Sequence, residues 1–210
     1  PSALRCEDVT FDAIRPLLEK QLSAEQVVLG VRNIFGLTPD AVQVTTVNEA
    51  MLTPVYGDDV KVGDVSVSWE TTQGAYDLAI RNSHTRWLSV THNGRQLTVD
   101  QVFGCLGQPD SYWAYVHPGH SPSVQSAELF MFYPKPGFWV RVDRDSTGER
   151  VPSFDGRAPV TQIWFVPPSS GASVTTAFTH QLAPTSPSSL AGQIRSWPGK
   201  WEDLEFSTAY

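Results

Sequence analysis

Charge is what this sequence has least of. Asp, Glu, Lys and Arg make up 18% of the residues against 40% hydrophobic, and the formal net charge is −7 with a pI near 5.1. No short window gathers more than two Lys or Arg. Nucleic acid and anionic membrane surfaces both need concentrated positive charge, so both are poor partners for this chain. Apolar runs of membrane-spanning length are missing as well, so no transmembrane segment is expected. Also absent are Gly-x-Ser-x-Gly, His-Glu-x-x-His and a phosphate-binding glycine loop, the short patterns that would announce a hydrolase, a zinc protease or a nucleotide enzyme. Only two cysteines occur, Cys6 and Cys105. They are either one disulfide in an oxidising compartment, tying the N-terminal segment to a later helix, or two unrelated buried thiols.

What is present points outside the cytosol. Sixteen prolines, seven tryptophans and many Ser and Thr favour a strand-rich, loop-rich extracytoplasmic protein, whether secreted, periplasmic or membrane-anchored. A chain beginning Pro1-Ser2 reads as trimmed to a mature boundary, which leaves open a signal or lipid anchor upstream.

The organising stretch is 97–143. Thr98 is a good N-cap and Gln101 can reach back to it as a capping box. Val102, Phe103, Cys105 and Leu106 give the helix a buried side, and Gly107 ends it. Pro109-Asp110 starts an exit turn, and the runs 128–133 and 138–142 are strands joined across Pro134-Lys135-Pro136-Gly137. An earlier segment repeats this plan. Ser23 to Gln26 forms another capping box, Val27, Val28, Val31, Ile34 and Phe35 follow at helical spacing, and Gly36 then Pro39-Asp40 close the unit. Strands are expected over 41–47, 62–69 and 76–80, with Gln73-Gly74 turning the last pair. The caps are offset by 75 residues (98 − 23) and the Pro-Asp pairs by 70 (110 − 40), so the second helix is the shorter by about a turn.

Elsewhere, 11–22 reads as an amphipathic helix with Pro16 near its start or kinking it. Residues 82–94 read as helical or irregular, 111–116 as a strand and 117–126 as a loop. Residues 144–159 read as a charged turn region and 160–166 as the last strand. Residues 174–178 form an apolar-alternating piece, Ser189 caps a short helix to 195, and 204–206 could add an edge strand.

For chemistry, His117 and His120 are the only paired-histidine spacing, and their loop lacks further ligands, so no metal is expected. Asp143, Asp145 and Glu149, and Asp58, Asp59 and Asp64, miss the calcium-loop spacing and read as solvated turns. Cys105 in an apolar helix is structural rather than nucleophilic. Tyr112, Trp113, Tyr115, Trp139 and Trp164 are candidate binding residues, since strand alternation would turn some outward as an aromatic platform; otherwise they fill the core.

The repeated helix–Gly-x-Pro-Asp–strand unit is similar to the tandem-repeat fold of the β-lactamase inhibitor proteins and to the single-unit SmpA/OmlA lipoproteins of outer-membrane assembly. It is carried by Leu97-Thr98-Val99-Asp100-Gln101-Val102 with Leu106-Gly107-Gln108-Pro109. The first copy, Leu22 to Val27 with Gly36 to Pro39, has a longer helix and one extra residue before the proline. These motifs are caps and turns, so the resemblance implies a fold and carries no contact residues over. The expected fold is α+β, with two tandem helix-pair plus antiparallel-sheet units (1–82 and 83–166) packed side by side and a C-terminal extension (167–210). The expected function is a non-catalytic protein-binding or scaffolding module of a bacterial envelope, with another envelope or secreted protein as partner, no catalytic residues and no cofactor. The alternatives are small-ligand or carbohydrate binding through Trp113, Trp139 or Trp164, and a hydrolase between the units using Tyr115, His117, His120 and Asp143.

Overall fold

A computed structural model describes residues 6–46, 64–72, 74–92, 97–121, 124–147, 152–170, 172–182 and 187–207. The chain starts with two single-turn helices, α1 (Cys6–Val9) and α2 (Arg15–Leu18), in place of the one helix expected over 11–22. Phe11 explains the break. It adopts φ 57°, which interrupts helical hydrogen bonding, while its ring packs on Phe138 and Phe165. Pro16 stands in the first turn of α2, where its missing N–H costs nothing. Arg15 extends across both rings and donates from Nη2 to the carbonyl of Pro136 at 2.9 Å.

Helix α3 (Ala24–Phe35) has the expected capping box. The Ser23 N–H donates to Gln26 Oε1 at 2.8 Å, the Gln26 N–H donates to Ser23 Oγ at 3.4 Å, and left-handed Gly36 ends the helix. Helix α4 (Val99–Leu106) starts with Gln101 Oε1 accepting from the Thr98 N–H at 2.8 Å and ends at positive-φ Gly107. Cys6 and Cys105 are joined in a disulfide that links α1 to α4.

Among the described residues nine antiparallel strands form one sheet: β1 (Val42–Thr46), β2 (Val65–Glu70), β3 (Gly74–Arg81), β4 (His84–His92), β5 (Ser111–Ser121), β6 (Val124–Tyr133), β7 (Phe138–Thr147), β8 (Gln162–Phe165) and β9 (Arg195–Ser196). Their order is β1-β2-β3-β4-β8-β7-β6-β5-β9. Two four-stranded meanders therefore meet last strand to last strand, Leu88 opposite Phe165 and Val90 opposite Ile163. The protein is α+β with few helices, as the capping boxes and aromatic runs predict at that level.

Several strands correct the sequence reading. Within the stretch 82–94, the described residues 82–92 are not helical, because Asn82 (φ 50°) and Ser83 (φ 62°) make a two-residue loop between Arg81 and His84 and start β4. Positive φ at both loop residues matches the twist of a hairpin. Strand β5 continues into the expected loop as far as Ser121 and places His117 opposite Ser126, and β7 continues to Thr147, into the expected charged turn region. Gly137 sits at φ 85° in the β6–β7 turn, where a Cβ would lie 2.7 Å from the Val166 carbonyl oxygen.

The sheet's inner face carries the larger core. Leu18, Val31, Leu78, Leu88, Leu129 and Val140 are among its fully buried side chains, under α1 to α4. Burial of each contributes about 1.5–3 kcal/mol. The chain then crosses to the outer face, where α5 (Val174–Leu182) and α6 (Pro187–Ala191) lie. Alternation was expected over 174–178, but Val174, Ala177 and Phe178 have the i, i+3, i+4 spacing of one helix face, and the Ser173 hydroxyl caps the start by accepting from the Thr176 N–H at 3.1 Å. Helix α6 begins at Pro187 rather than after Ser189. Strand β9, not 204–206, becomes the edge strand beside β5. Beyond it Trp197 and Trp201 return to the inner face around Phe103.

Candidate functional site

Register decides which side chains share the outer face. β6 and β7 pair Phe132 with Trp139, Phe130 with Arg141 and Glu128 with Asp143, while β5 adds Trp113 beside Phe130 and Tyr115 beside Glu128. β8 adds Trp164 beside Trp139, and β4 sets Ser89 beside Trp164. The face thus has an aromatic zone running into a charged zone toward the far ends of β5, β6 and β7.

The five aromatic residues expected as a binding platform are not displayed. Relative exposure is 2% for Tyr112, 1% for Trp113, 7% for Tyr115, 2% for Trp139 and 7% for Trp164. Tyr112 points to the inner face, opposite to Trp113, because side chains alternate along a strand; its hydroxyl accepts from the Glu205 N–H at 2.9 Å. The other four lie on the outer face, in one buried cluster with Val174, Ala177 and Phe178 of α5 and Leu190 of α6. Trp139 stacks on Trp164 at 4.8 Å, Trp164 meets Trp87 at 4.6 Å and Trp113 stacks on Tyr115 at 5.5 Å.

At the margin of that zone the strands assemble a charged network. Glu128 Oε1 accepts from Arg141 Nη2 at 2.6 Å and lies 3.1 Å from His117 Nε2, while Arg141 Nε donates to Asp143 Oδ1 at 2.8 Å. The Tyr115 ring stands perpendicular to the His117 imidazole at 4.7 Å, and the Arg141 guanidinium lies 5.8 Å from the centre of the Phe130 ring. Three of the four residues proposed for a polar site, Tyr115, His117 and Asp143, are therefore brought together. The side chain of the fourth, His120, lies outside the described residues. Because Arg141 already binds Glu128 and Asp143, neither carboxylate is a free base, and the arrangement is an ion-pair ladder across three strands.

The first meander continues this face with short polar groups. Asp77 sits in register with Ser68 and Ser89 and has no charged partner among the described residues. Burial raises its carboxyl above the usual range. Asp64, grouped with Asp58 and Asp59 in the calcium-like reading, is instead held bidentately by Arg81 at 2.6 and 2.7 Å; Asp58, Asp59 and Glu149 lie outside the described residues. Among the described residues no three His, Cys, Asp or Glu side chains gather into a metal-binding group, and no helix is long and apolar enough to cross a membrane.

Glu128, Arg141, Asp77 and Phe178 were not singled out from sequence. A register signal existed for the first two. A hairpin closed at Pro134–Gly137 that sets Tyr133 opposite Phe138 must also set Glu128 opposite Asp143, with Arg141 one step diagonal. No comparable signal marked Phe178, whose partners lie on strands distant in sequence. No family model matches the chain, and comparison with curated proteins and with solved structures finds no match either.

Proposed function

We propose that this protein is a non-catalytic binding module acting outside the cytoplasm, and that it meets a protein partner on the uncovered part of the outer sheet face. The observation that carries this reading is the composition of that surface. Ser66, Ser68, Asp77 and Thr91 on the first meander continue into His117, Glu128 and Asp143 on the second, giving a face with short polar side chains at one end and fixed charges at the other. Interfaces take their register from such fixed charge, and the acidic bias of the strip favours a basic partner surface.

The strand order supports a tandem reading in which each unit is a helix followed by a four-stranded meander, with 167–207 as an extension. Among the described residues α4 is the one helix between β4 and β5, so in this reading the second unit has no helix pair. The Cys6–Cys105 bond is compatible with an oxidising extracytoplasmic setting. The resemblance to tandem-repeat inhibitors and assembly lipoproteins bears on the fold and not on the role, and an envelope or secreted protein is the partner class of this reading.

Immobilised protein should capture a defined partner from an envelope or secreted fraction. Asp77→Lys and Thr91→Arg should abolish capture, while Lys20→Glu, on the helical side, should leave it intact. Capture indifferent to all three changes would remove the sheet face from the reading.

A second reading is kept for one contact. His117 stands 3.1 Å from Glu128 and is partly exposed, so a hydrolase or small-ligand site there is the competing reading. Turnover or ligand binding that is lost in His117→Ala but unaffected by Asp77→Lys would favour it.

A further inference from the structure

The covered half of the outer face carries more information than the open half, because what fits it is already in place. Phe178 of α5 is fully buried and inserts among four rings: Phe132 at 4.7 Å, Phe130 at 4.9 Å, Trp139 at 5.6 Å and Trp113 at 5.9 Å. Val174 and Ala177 lie on the same side of α5, and Leu190 of α6 joins the same cluster. A single aromatic anchor with small apolar flanks at i−4 and i−1, seated in a cage of sheet aromatics, is the arrangement by which grooves recognise amphipathic helices.

The covering segment is poorly equipped to be permanent structure. Helix α5 has nine residues, Thr at 175, 176 and 179, and no Asp, Glu, Lys or Arg. A helix of that length and composition does not persist in water, so α5 owes its form to docking. Indeed residues 158–194 hold no Asp, Glu, Lys or Arg at all, so no such charge on the segment can anchor it by an ion pair. One side-chain hydrogen bond reaches the sheet from the residues after α6, Trp113 Nε1 donating to Gln193 Oε1 at 3.3 Å. Among the described residues the attachment is mainly apolar, with Phe178 at its centre and Val174, Ala177 and Leu190 in the same cluster. Beneath it lie Trp113, Phe130, Phe132 and Trp139, whose rings Phe178 meets directly.

We propose that the outer face between β5 and β8 is a receptor groove for an uncharged helix with one aromatic anchor, which the chain fills with its own α5, and that a partner segment of the same chemistry enters by displacing it. The aromatic residues buried here are then the binding surface in the displaced state. Because the docked segment carries no charge, displacement is insensitive to salt, unlike binding on the open polar strip. This inference concerns the covered zone and stands independently of the partner proposed for that strip.

The test uses the full chain and a synthetic peptide of residues 172–182. In Phe178→Ala, acrylamide quenching of tryptophan should rise, and the peptide should suppress that rise and bind saturably. Binding to the wild-type chain should be at least about tenfold weaker, because the wild-type groove starts filled. A peptide carrying the same Phe178→Ala change should not bind. Failure of the peptide to bind the variant chain, or equal binding to both chains, overturns the proposal. If the variant does not fold, native-state hydrogen exchange of the wild-type chain decides. α5 amides should exchange at least about 100-fold faster than those of β6 and β7, through local opening. Exchange of α5 only together with β6 and β7 would make it a fixed part of the core and overturn the proposal.

Discussion

At the scale of single residues, two carboxylates of the outer face, Asp77 and Glu128, differ in their partners. Asp77 is half-buried and without a charged partner among the described residues, and burial raises its carboxyl. A folded pKa above the unfolded one adds stability below the unfolded pKa, and that stability is lost as pH rises through the folded pKa, so at neutral pH Asp77 is a cost. Asp77→Asn should therefore raise Tm at pH 7, by on the order of 1 °C given solvent screening at a half-exposed site, and the gain should vanish at pH 3. A melt series over that pH range checks the sign. Glu128, by contrast, has charged partners, held by Arg141 at 2.6 Å and touched by His117. Glu128→Ala should cost about 1–3 kcal/mol, because Arg141 loses one of two carboxylates at a partly buried position. His117→Ala removes only a more exposed partner and should cost less than about 1 kcal/mol. Urea unfolding of both variants orders the two contacts.

Among the elements, the β3–β4 hairpin is the most exacting. Ser83 occupies φ 62°, a conformation costing a non-glycine residue about 1–2 kcal/mol. Ser83→Gly should relieve that strain at the expense of some chain entropy, for a net gain of about 0.5–1 kcal/mol in chemical denaturation, whereas Ser83→Val should destabilise. This hairpin also marks how far the sequence could be read. The α3 and α4 boundaries were legible because Ser23, Gln26, Gln101, Gly36 and Gly107 act through hydrogen bonds and φ values local to the chain. β4 was missed because Asn-Ser is a weaker hairpin signal than Asn-Gly, and the apolar residues Trp87, Leu88 and Val90 fit a helix as readily as a strand. α5 was misread for the related reason that five residues are too few to separate a period of two from one of 3.6. The site was half legible. Alternation implied that some of the five aromatics would point outward, but the strand register was needed to put Trp113, Tyr115, Trp139 and Trp164 on one face. Only tertiary packing, through Phe178 from a distant segment, decided that this face is closed.

At the scale of the whole molecule, the Cys6–Cys105 bond closes a loop across 99 positions. Chain-entropy reasoning assigns a loop of about 100 residues about 4–5 kcal/mol. Reduction, or the Cys6→Ser and Cys105→Ser pair of changes, should lower the unfolding free energy by about 3–5 kcal/mol with the sheet otherwise retained. The check is the urea midpoint with and without reductant, read together with far-ultraviolet circular dichroism. A loss well under this range would mean that α1 and α4 hold each other by packing alone.

Within each meander, strands pair with their neighbours in sequence, so those pairings are local. The junction between meanders is not. It matches Leu88 with Phe165, 77 positions apart (165 − 88), over only four paired residues on each strand. In kinetic terms each half can zip up quickly, but both must then wait for one slow encounter, because long-range closure costs entropy before contacts reward it. Until β4 and β8 meet, each half presents a raw strand edge, and another molecule's β4 or β8 could take the place meant for its own. The central junction that makes one sheet of two is thus also where crowded, newly made chains are most exposed to exchanging halves.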